Sequence, residues 1–177
     1  MNFLSTPLAG VWLIEPEIHT DARGFFARMH CDDEFEQQGI RAHFVQTSLS
    51  FNTRKGTLRG MHWQAAPHEE RKLVRCVQGE IYDVVVDLRR DSPTFRQWFA
   101  AELSSINRRS LFIPEGCAHG FQTRADRTEV IYQITANYSA ASARGVRWDD
   151  PAFRISWPAC DDRTISDRDA TFPDFDE

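Results

Sequence analysis

"GTLRGMHWQ", residues 56–64, decides how the chain is read. It is a short apolar run, yet it holds His62 between Met61 and Trp63, and Arg59 precedes it. Successive side chains of a strand point to opposite faces. His62 and Gln64 therefore share one face, and Met61 and Trp63 share the other. A histidine and an amide on one face suit a strand that lines a cavity, such as the lumen of a barrel. Strict alternation puts Arg59 on the face away from His62, so its place at a site depends on Gly60 bending the strand.

The flanking sequence continues the strand pattern. "VWLIEP" (11–16) is apolar and stopped by Pro16, and "GFFARMH" (24–30) follows the turn-like "DARG". "LVRCVQ" (73–78) and "IYDVVVDL" (81–88) flank "GE", which reads as a tight hairpin turn. "SLFIP" (110–114), "HGFQTR" (119–124) and "EVIYQITANY" (129–138) follow. In the last, Val130, Tyr132, Ile134 and Ala136 share a face, as Lys72, Val74 and Cys76 do earlier, so His62, Lys72 and Tyr132 are candidates to meet in one cavity. Helical signals are few. "DDEFEQQG" offers Asp33 as N-cap, Glu36 three residues on and Gly39 as terminator, and "ISDRDA" offers Ser166 with Asp169 three residues later. Many short strands between turns predict an all-β chain, a sandwich or barrel with jelly rolls among the options, and a few short helices. No linker or repeat divides it, so residues 1–177 read as a single domain.

Composition limits the function. The net charge of -5 argues against a general nucleic-acid or membrane-surface role, because phosphates would be repelled, but leaves room for a basic pocket holding one small anion. No apolar run approaches a membrane span, and the start lacks a basic n-region, so no signal peptide is expected. Cys31, Cys76, Cys117 and Cys160 are widely spaced with no C-x-x-C pair, as suits reduced thiols in a cytoplasmic protein.

The candidate chemistry is proton transfer. His62 facing a cavity can act as a base, best with a carboxylate on its other nitrogen, and Asp169 is a candidate partner. Against that, Asp169 also fits a capping box behind Ser166. Tyr132 can act as a neutral acid or be a core tyrosine, and Lys72 can stabilise a developing enolate oxygen or be a solvated charge after "HEER". Arg23 and Arg59 suit phosphate oxygens or surface ion pairs, and His119 suits a site or a barrel rim. "GTLRGMHWQ" and "PEGCAHGF" resemble the two half-motifs of the cupin superfamily, which is a jelly roll. Metal-binding cupins usually carry H-x-H in the first half. Gln64 replaces the second histidine here, and it is a weaker transition-metal ligand, so no metal is expected even with His68 and Glu69 nearby.

"DARGFF", "FVQTSLS", "KGTLRGMHWQ", "RKLVRCVQGEIYDVVVDLR", "DSPTFRQW", "LFIPEGCAHGF", "VIYQITANYS", "VRWDDPAFRISWP" and "ISDRDA" occur in this order. Together they resemble the dTDP-4-dehydrorhamnose 3,5-epimerases, metal-independent cupins, over roughly residues 8–170. The resemblance implies a jelly-roll homodimer without cofactor. It implies epimerisation at C3 and C5 of dTDP-4-dehydro-6-deoxy-D-glucose to dTDP-4-dehydro-L-rhamnose. A C3-only epimerase of a related nucleotide sugar is the alternative, and a metal-dependent cupin enzyme a more distant one. By the same resemblance His62 is the base, Asp169 its partner, Tyr132 the acid and Lys72 the residue near the enolate oxygen. Gln46, Ser48, Arg59 and His119 fall on substrate-contacting positions, and Tyr138 matches the aromatic that stacks on thymine. Arg23 matches a diphosphate contact supplied from the neighbouring subunit. The chain departs from the family pattern at Arg28 and Ala143, where acids are common, and at Ser48, where an amide is common. These departures bear on substrate identity.

Overall fold

The computed structural model describes residues 1–176. In chain order the elements are β1 (Asn2–Ser5), β2 (Trp12–Glu15), β3 (Ile18–Asp21), β4 (Gly24–Ala27), α1 (Asp32–Gln37), β5 (Gln46–Asn52), β6 (Leu58–Gln64) and β7 (Lys72–Gln78). They continue with β8 (Glu80–Asp87), β9 (Trp98–Ser104), β10 (Ser110–Ile113), β11 (Cys117–Thr123), β12 (Thr128–Ile134), β13 (Ala143–Gly145) and α2 (Asp167–Ala170). The chain is nearly all β, with two short helices among the described residues. One sheet has the order β1-β2-β10-β7-β12-β5, a second β13-β6-β11-β8-β9, and β3-β4 forms a separate hairpin.

The alternation of β8 explains how the layers pack. Ile81 and Val85 point between the two large sheets, into a core shared with Val74, Leu111 and Val130 of one sheet and Leu103 and Phe121 of the other. Val84 and Val86 point outward with Met61 and Ala118, and Val146 and Phe153 from the C-terminal third cover them. The outer face of the six-stranded sheet carries Ile14, Leu73 and Phe112, packed against Phe35 of α1 and Ile40. Both faces of β7 and β8 are thus dry over much of their length, which is why their sequences read as nearly unbroken apolar runs.

Three readings of the sequence are corrected. "GE" does not close a hairpin: β7 pairs with β10 and β12, whereas β8 pairs with β9 and β11. Gly79, at φ 77°, carries the chain from one sheet to the other. A Cβ there would collide with Thr128 of β12, so only glycine fits the corner. The N-cap of α1 is Cys31, without a side-chain cap, and Asp33 lies in the first turn with Asp32 and Glu34, where a negative charge meets the helix N-terminus. Gly39, at φ 74°, follows the C-cap Gln38 and ends the helix as read. Ala136 lies beyond β12, whose strand stops at Ile134.

All four cysteines are free. Burial pushes the thiols of Cys76 and Cys117 up to about 12, so both stay protonated at neutral pH.

Candidate active site

A cavity of about 490 Å³ opens between the two large sheets. His62 and Arg59 of β6 and His119 of β11 border it from one sheet, and Lys72 of β7, Tyr132 of β12 and Gln46 and Ser48 of β5 from the other. Tyr138, Ala143 and Arg144 lie along its rim segment, and Ser166, Arg168 and Asp169 reach it from the C-terminal helix.

Arg59 and His62 meet in this cavity because β6 is irregular. His119 pairs with His62, but Phe121 pairs with Arg59, so two residues of β11 span three of β6. The extra residue reverses the alternation and brings Arg59 to the same side as His62. The irregularity needs glycine: Gly60 has φ 122°, and a Cβ on it would meet Gly120 Cα at 2.5 Å and His119 O at 2.8 Å. Arg59 is then steered by Nε donating to Asn52 Oδ1 at 2.8 Å.

His62 Nε2 lies 2.8 Å from Asp169 Oδ1, and the Gly60 amide donates to Asp169 Oδ2 at 3.1 Å. With Nε2–H on the carboxylate, Nδ1 is the nitrogen left with a lone pair. The capping box is only half made. Ser166 Oγ accepts from the Asp169 amide, but the Asp169 carboxylate turns to β6 instead of back to Ser166. Burial raises the Asp169 carboxyl, but the hydrogen bond and charge of His62, the Gly60 amide and Arg168 outweigh it and hold it below the usual carboxylate range. The ring of Phe172 stands edge-on to His62, centroids 5.7 Å apart, and its other side fills the space over Gly145.

On the facing sheet Tyr132 borders the cavity. Burial, and after it the charge of Asp83, push its phenol well above the ordinary tyrosine range, with Arg59 and a hydrogen bond from Ser50 acting in the opposite sense. The side chain is therefore a neutral proton donor at physiological pH. Lys72 Nζ donates to the His62 carbonyl at 3.3 Å and forms an ion pair with Glu70 at 2.9 Å. His119 Nε2 lies 2.7 Å from Asp83 Oδ1, and the His119 ring meets Tyr132 edge-on at 6.0 Å.

Gln64 faces inward as the alternation requires, but both ends of its amide are held by backbone. Oε1 accepts from Ser139 N at 2.6 Å, and Nε2 donates to the carbonyls of His68 and Asn137. His68 Nδ1 bonds to Ser142 Oγ. Among the described residues no group of three or more His, Cys, Asp or Glu side chains is arranged to hold a metal ion.

Of the residues singled out in the sequence, His62, Tyr132, Asp169, Lys72, Gln46, Ser48, Arg59, His119 and Tyr138 border this one cavity. Arg23 does not. It sits in the turn of the β3–β4 hairpin, its side chain 90% exposed and bridged to Asp21 at 2.5 Å. Arg28 is also outside the cavity of its own chain and pairs with Glu34 at 3.0 Å. Glu70, Asp83, Arg144 and Arg168 went unread. Asp83 had a legible signal: it shares the inward face of β8 with Ile81 and Val85. Glu70 had none, hidden in the charge run "HEERK".

Known proteins place this geometry. A sequence model of dTDP-4-dehydrorhamnose 3,5-epimerase matches residues 5–177. The dTDP-4-dehydrorhamnose 3,5-epimerase of Shigella flexneri is 43% identical over 170 residues, 96% of this chain and 93% of the relative. The crystal structure of the Bacillus anthracis dTDP-4-dehydrorhamnose 3,5-epimerase with TDP and PPi bound superposes with a TM-score of 0.95 at 40% identity, covering 98% of this chain and 99% of that one. A Legionella pneumophila dTDP-6-deoxy-D-glucose-3,5-epimerase in complex with dTDP-4-keto-L-rhamnose gives 0.91 at 34% identity, covering 99% of each. The chain belongs to the dTDP-4-dehydrorhamnose 3,5-epimerase family.

Proposed function

We propose that the protein epimerises C3 and C5 of dTDP-4-dehydro-6-deoxy-D-glucose to give dTDP-4-dehydro-L-rhamnose, with the roles divided between the two walls of the cavity. The C4 ketone acidifies the hydrogens on both neighbouring carbons. His62 Nδ1 takes one of them, and the imidazolium so formed is stabilised by the Asp169 carboxylate. The electron pair passes to the C4 oxygen, where the Lys72 ammonium stabilises the enolate. Tyr132 then gives its phenolic proton to the opposite face of the carbon. His62 then releases its proton to solvent and Tyr132 regains one from it, and the same cycle at the second carbon completes the reaction. Protons only are exchanged, so the chemistry calls for no cofactor or metal.

The observation that carries this reading is the placement of His62–Asp169 and Tyr132 on facing sheets across one cavity, with Lys72 bonded to the His62 carbonyl. Arg59, Arg144 and Arg168 border the same cavity, a local cationic lining in a chain of net charge -5 that suits a diphosphate. Gln46 Nε2 donates to Ser48 Oγ at 3.1 Å, so the pair presents polar groups to the nucleotide sugar, and the exposed ring of Tyr138 offers a face for thymine.

The remaining features fit one arrangement. The strands cross repeatedly between two antiparallel sheets, as in a single cupin jelly-roll domain. The β3–β4 hairpin carries Arg23 beside Phe25 and Phe26, which are 50% and 74% exposed. Such a hairpin suits a homodimer in which it delivers Arg23 to the partner's cavity. The four free cysteines suit a cytoplasmic setting.

The test is incubation with dTDP-4-keto-6-deoxyglucose in deuterated water, followed by NMR. Deuterium at both C3 and C5 is expected. Deuterium at C3 alone would make the protein a C3 epimerase, and none at either carbon would exclude the substrate.

A further inference from the structure

We infer that Glu70 is a positioning residue for the reaction: its carboxylate fixes the Lys72 ammonium so that one N–H points at the enolate oxygen. The inference rests on the epimerase reading and extends it to a residue outside the acid–base set.

Glu70 lies two residues before Lys72, the first residue of β7, and both side chains turn to the same cavity. Both are nearly buried there, 11% and 10% exposed, with Glu70 Oε1 2.9 Å from Lys72 Nζ. Withdrawing two charges from water is costly, and a buried pair of this kind is a poor way to gain stability. The pair also ties together only residues that the chain already holds adjacent, so it closes no long loop. Its effect is on the direction of the ammonium.

An ammonium has three N–H donors. One goes to Glu70 and one to the carbonyl of His62, 3.3 Å away, which leaves the third for the cavity that Lys72 borders. The His62 bond registers the cation on the backbone of the base itself. The Glu70 bond fixes the remaining rotation about the long, flexible lysine side chain. Without Glu70 the ammonium keeps its charge but loses its aim, and electrostatic stabilisation of a transition state depends on donors already in place. The carboxylate is tolerable near an enolate because the ammonium lies against it and offsets its charge.

The experiment uses the full chain and four variants: Glu70→Ala, Glu70→Gln, Lys72→Met and Glu70→Ala with Lys72→Met. Deuterium uptake at C3 gives kcat and KM, and titration with dTDP gives binding. For Glu70→Ala we expect kcat to fall about 10- to 100-fold, with KM and dTDP affinity within about twofold. Glu70→Gln keeps the shape and one acceptor and should lose less. In the Lys72→Met background the Glu70 change should cost less than about twofold more, since there is no ammonium left to aim. Wild-type kcat in Glu70→Ala would overturn the inference. So would a loss that multiplies fully with Lys72→Met, or one that follows dTDP affinity and thermal stability together in both Glu70 variants. If the wild-type chain itself exchanges no deuterium, the epimerase reading fails and this inference with it; failure of the Glu70 variants to respond leaves that reading intact.

Discussion

Two histidine–carboxylate pairs stand side by side in this protein, and they differ in what they can reach. His62 and His119 are direct cross-strand partners on β6 and β11. Each has Nε2 on an aspartate, at 2.8 Å and 2.7 Å. The His62 side chain is 40% exposed to the cavity, the His119 side chain 4%. Asp169 has its second oxygen on the Gly60 amide, whereas Asp83 Oδ2 is buried without a partner. On the proposed mechanism the same constellation does two jobs. The accessible pair can take a proton and pass it to water. The sealed pair stands beside Tyr132 and, through the charge of Asp83, helps to keep its phenol protonated. Access, more than the identity of the residues, separates a base from a fixed electrostatic support.

Removing each histidine in turn separates the two pairs. His62→Asn should lower deuterium exchange at C3 and C5 by about 10³-fold with dTDP affinity retained, as expected for loss of a general base. His119→Asn should cost roughly tenfold, as expected for a buried support that holds Asp83 beside Tyr132 without transferring the proton. Equal losses would mean that the pairs are equivalent.

Gly60→Ala attacks the shared feature that brings the first pair together. The added Cβ collides with the backbone of β11, and the residue is held at φ 122°. Strain of this kind should lower stability by about 1–3 kcal/mol, read as urea unfolding. It should lower kcat about tenfold or more, because the Asp169 anchor and Arg59 both depend on this bulge. A fully active, stable variant would refute the role given to the bulge.

Asp83→Asn probes the sealed pair. Removing its charge removes one of the causes that raise the Tyr132 phenol, so the phenol ionises at lower pH. The alkaline limb of the kcat profile should move to lower pH, while the phenol stays protonated at neutrality because burial, the larger cause, remains. An unchanged profile would free Tyr132 from Asp83.

The smallest effect on activity belongs to Asp87, outside the cavity. Burial would raise its carboxyl, but hydrogen bonds from Arg89, Ser92 and Thr94 hold it at about 2, against 3.8 ordinarily. A depressed carboxyl contributes stability that is present above the unfolded value and lost as pH falls through the folded one. That contribution is about 2 kcal/mol at neutral pH and disappears between pH 4 and pH 2. Asp87→Asn should show the loss at pH 7 by urea unfolding, a smaller one near pH 2, and unchanged kcat.

The two pairs also mark how much could be read from sequence. Alternation in "GTLRGMHWQ" placed His62 and Gln64 inward, and the period of "EVIYQITANY" placed Tyr132 across from them. Local pattern carries that much, because it sets which face a side chain takes. It does not set which strands become neighbours. The corner at Gly79 looks like a hairpin turn in sequence, since a left-handed glycine serves both. The choice between them lies in the packing against Thr128 and in pairings made over long separations. Asp169 was ambiguous for a related reason: Ser166 and Asp169 satisfy a helix cap locally, and only the tertiary approach of α2 to Gly60 sends the carboxylate to His62. The bulge at Gly60 was legible as a question, because Arg59 had to change faces to join the site. Arg23 shows the limit of a single chain, since its hairpin points away from the cavity that its own strands enclose.

On the proposed mechanism His62 removes the proton on one wall and Tyr132 returns it from the other. Tyr132→Phe in deuterated water tests it most directly, with exchange and inversion measured on the same sample. His62 is open to solvent, so the variant should still place deuterium at C3 while the configuration at that carbon stays as it was. Inversion at the wild-type rate, or loss of exchange as complete as in His62→Asn, would contradict the division of labour between the two walls.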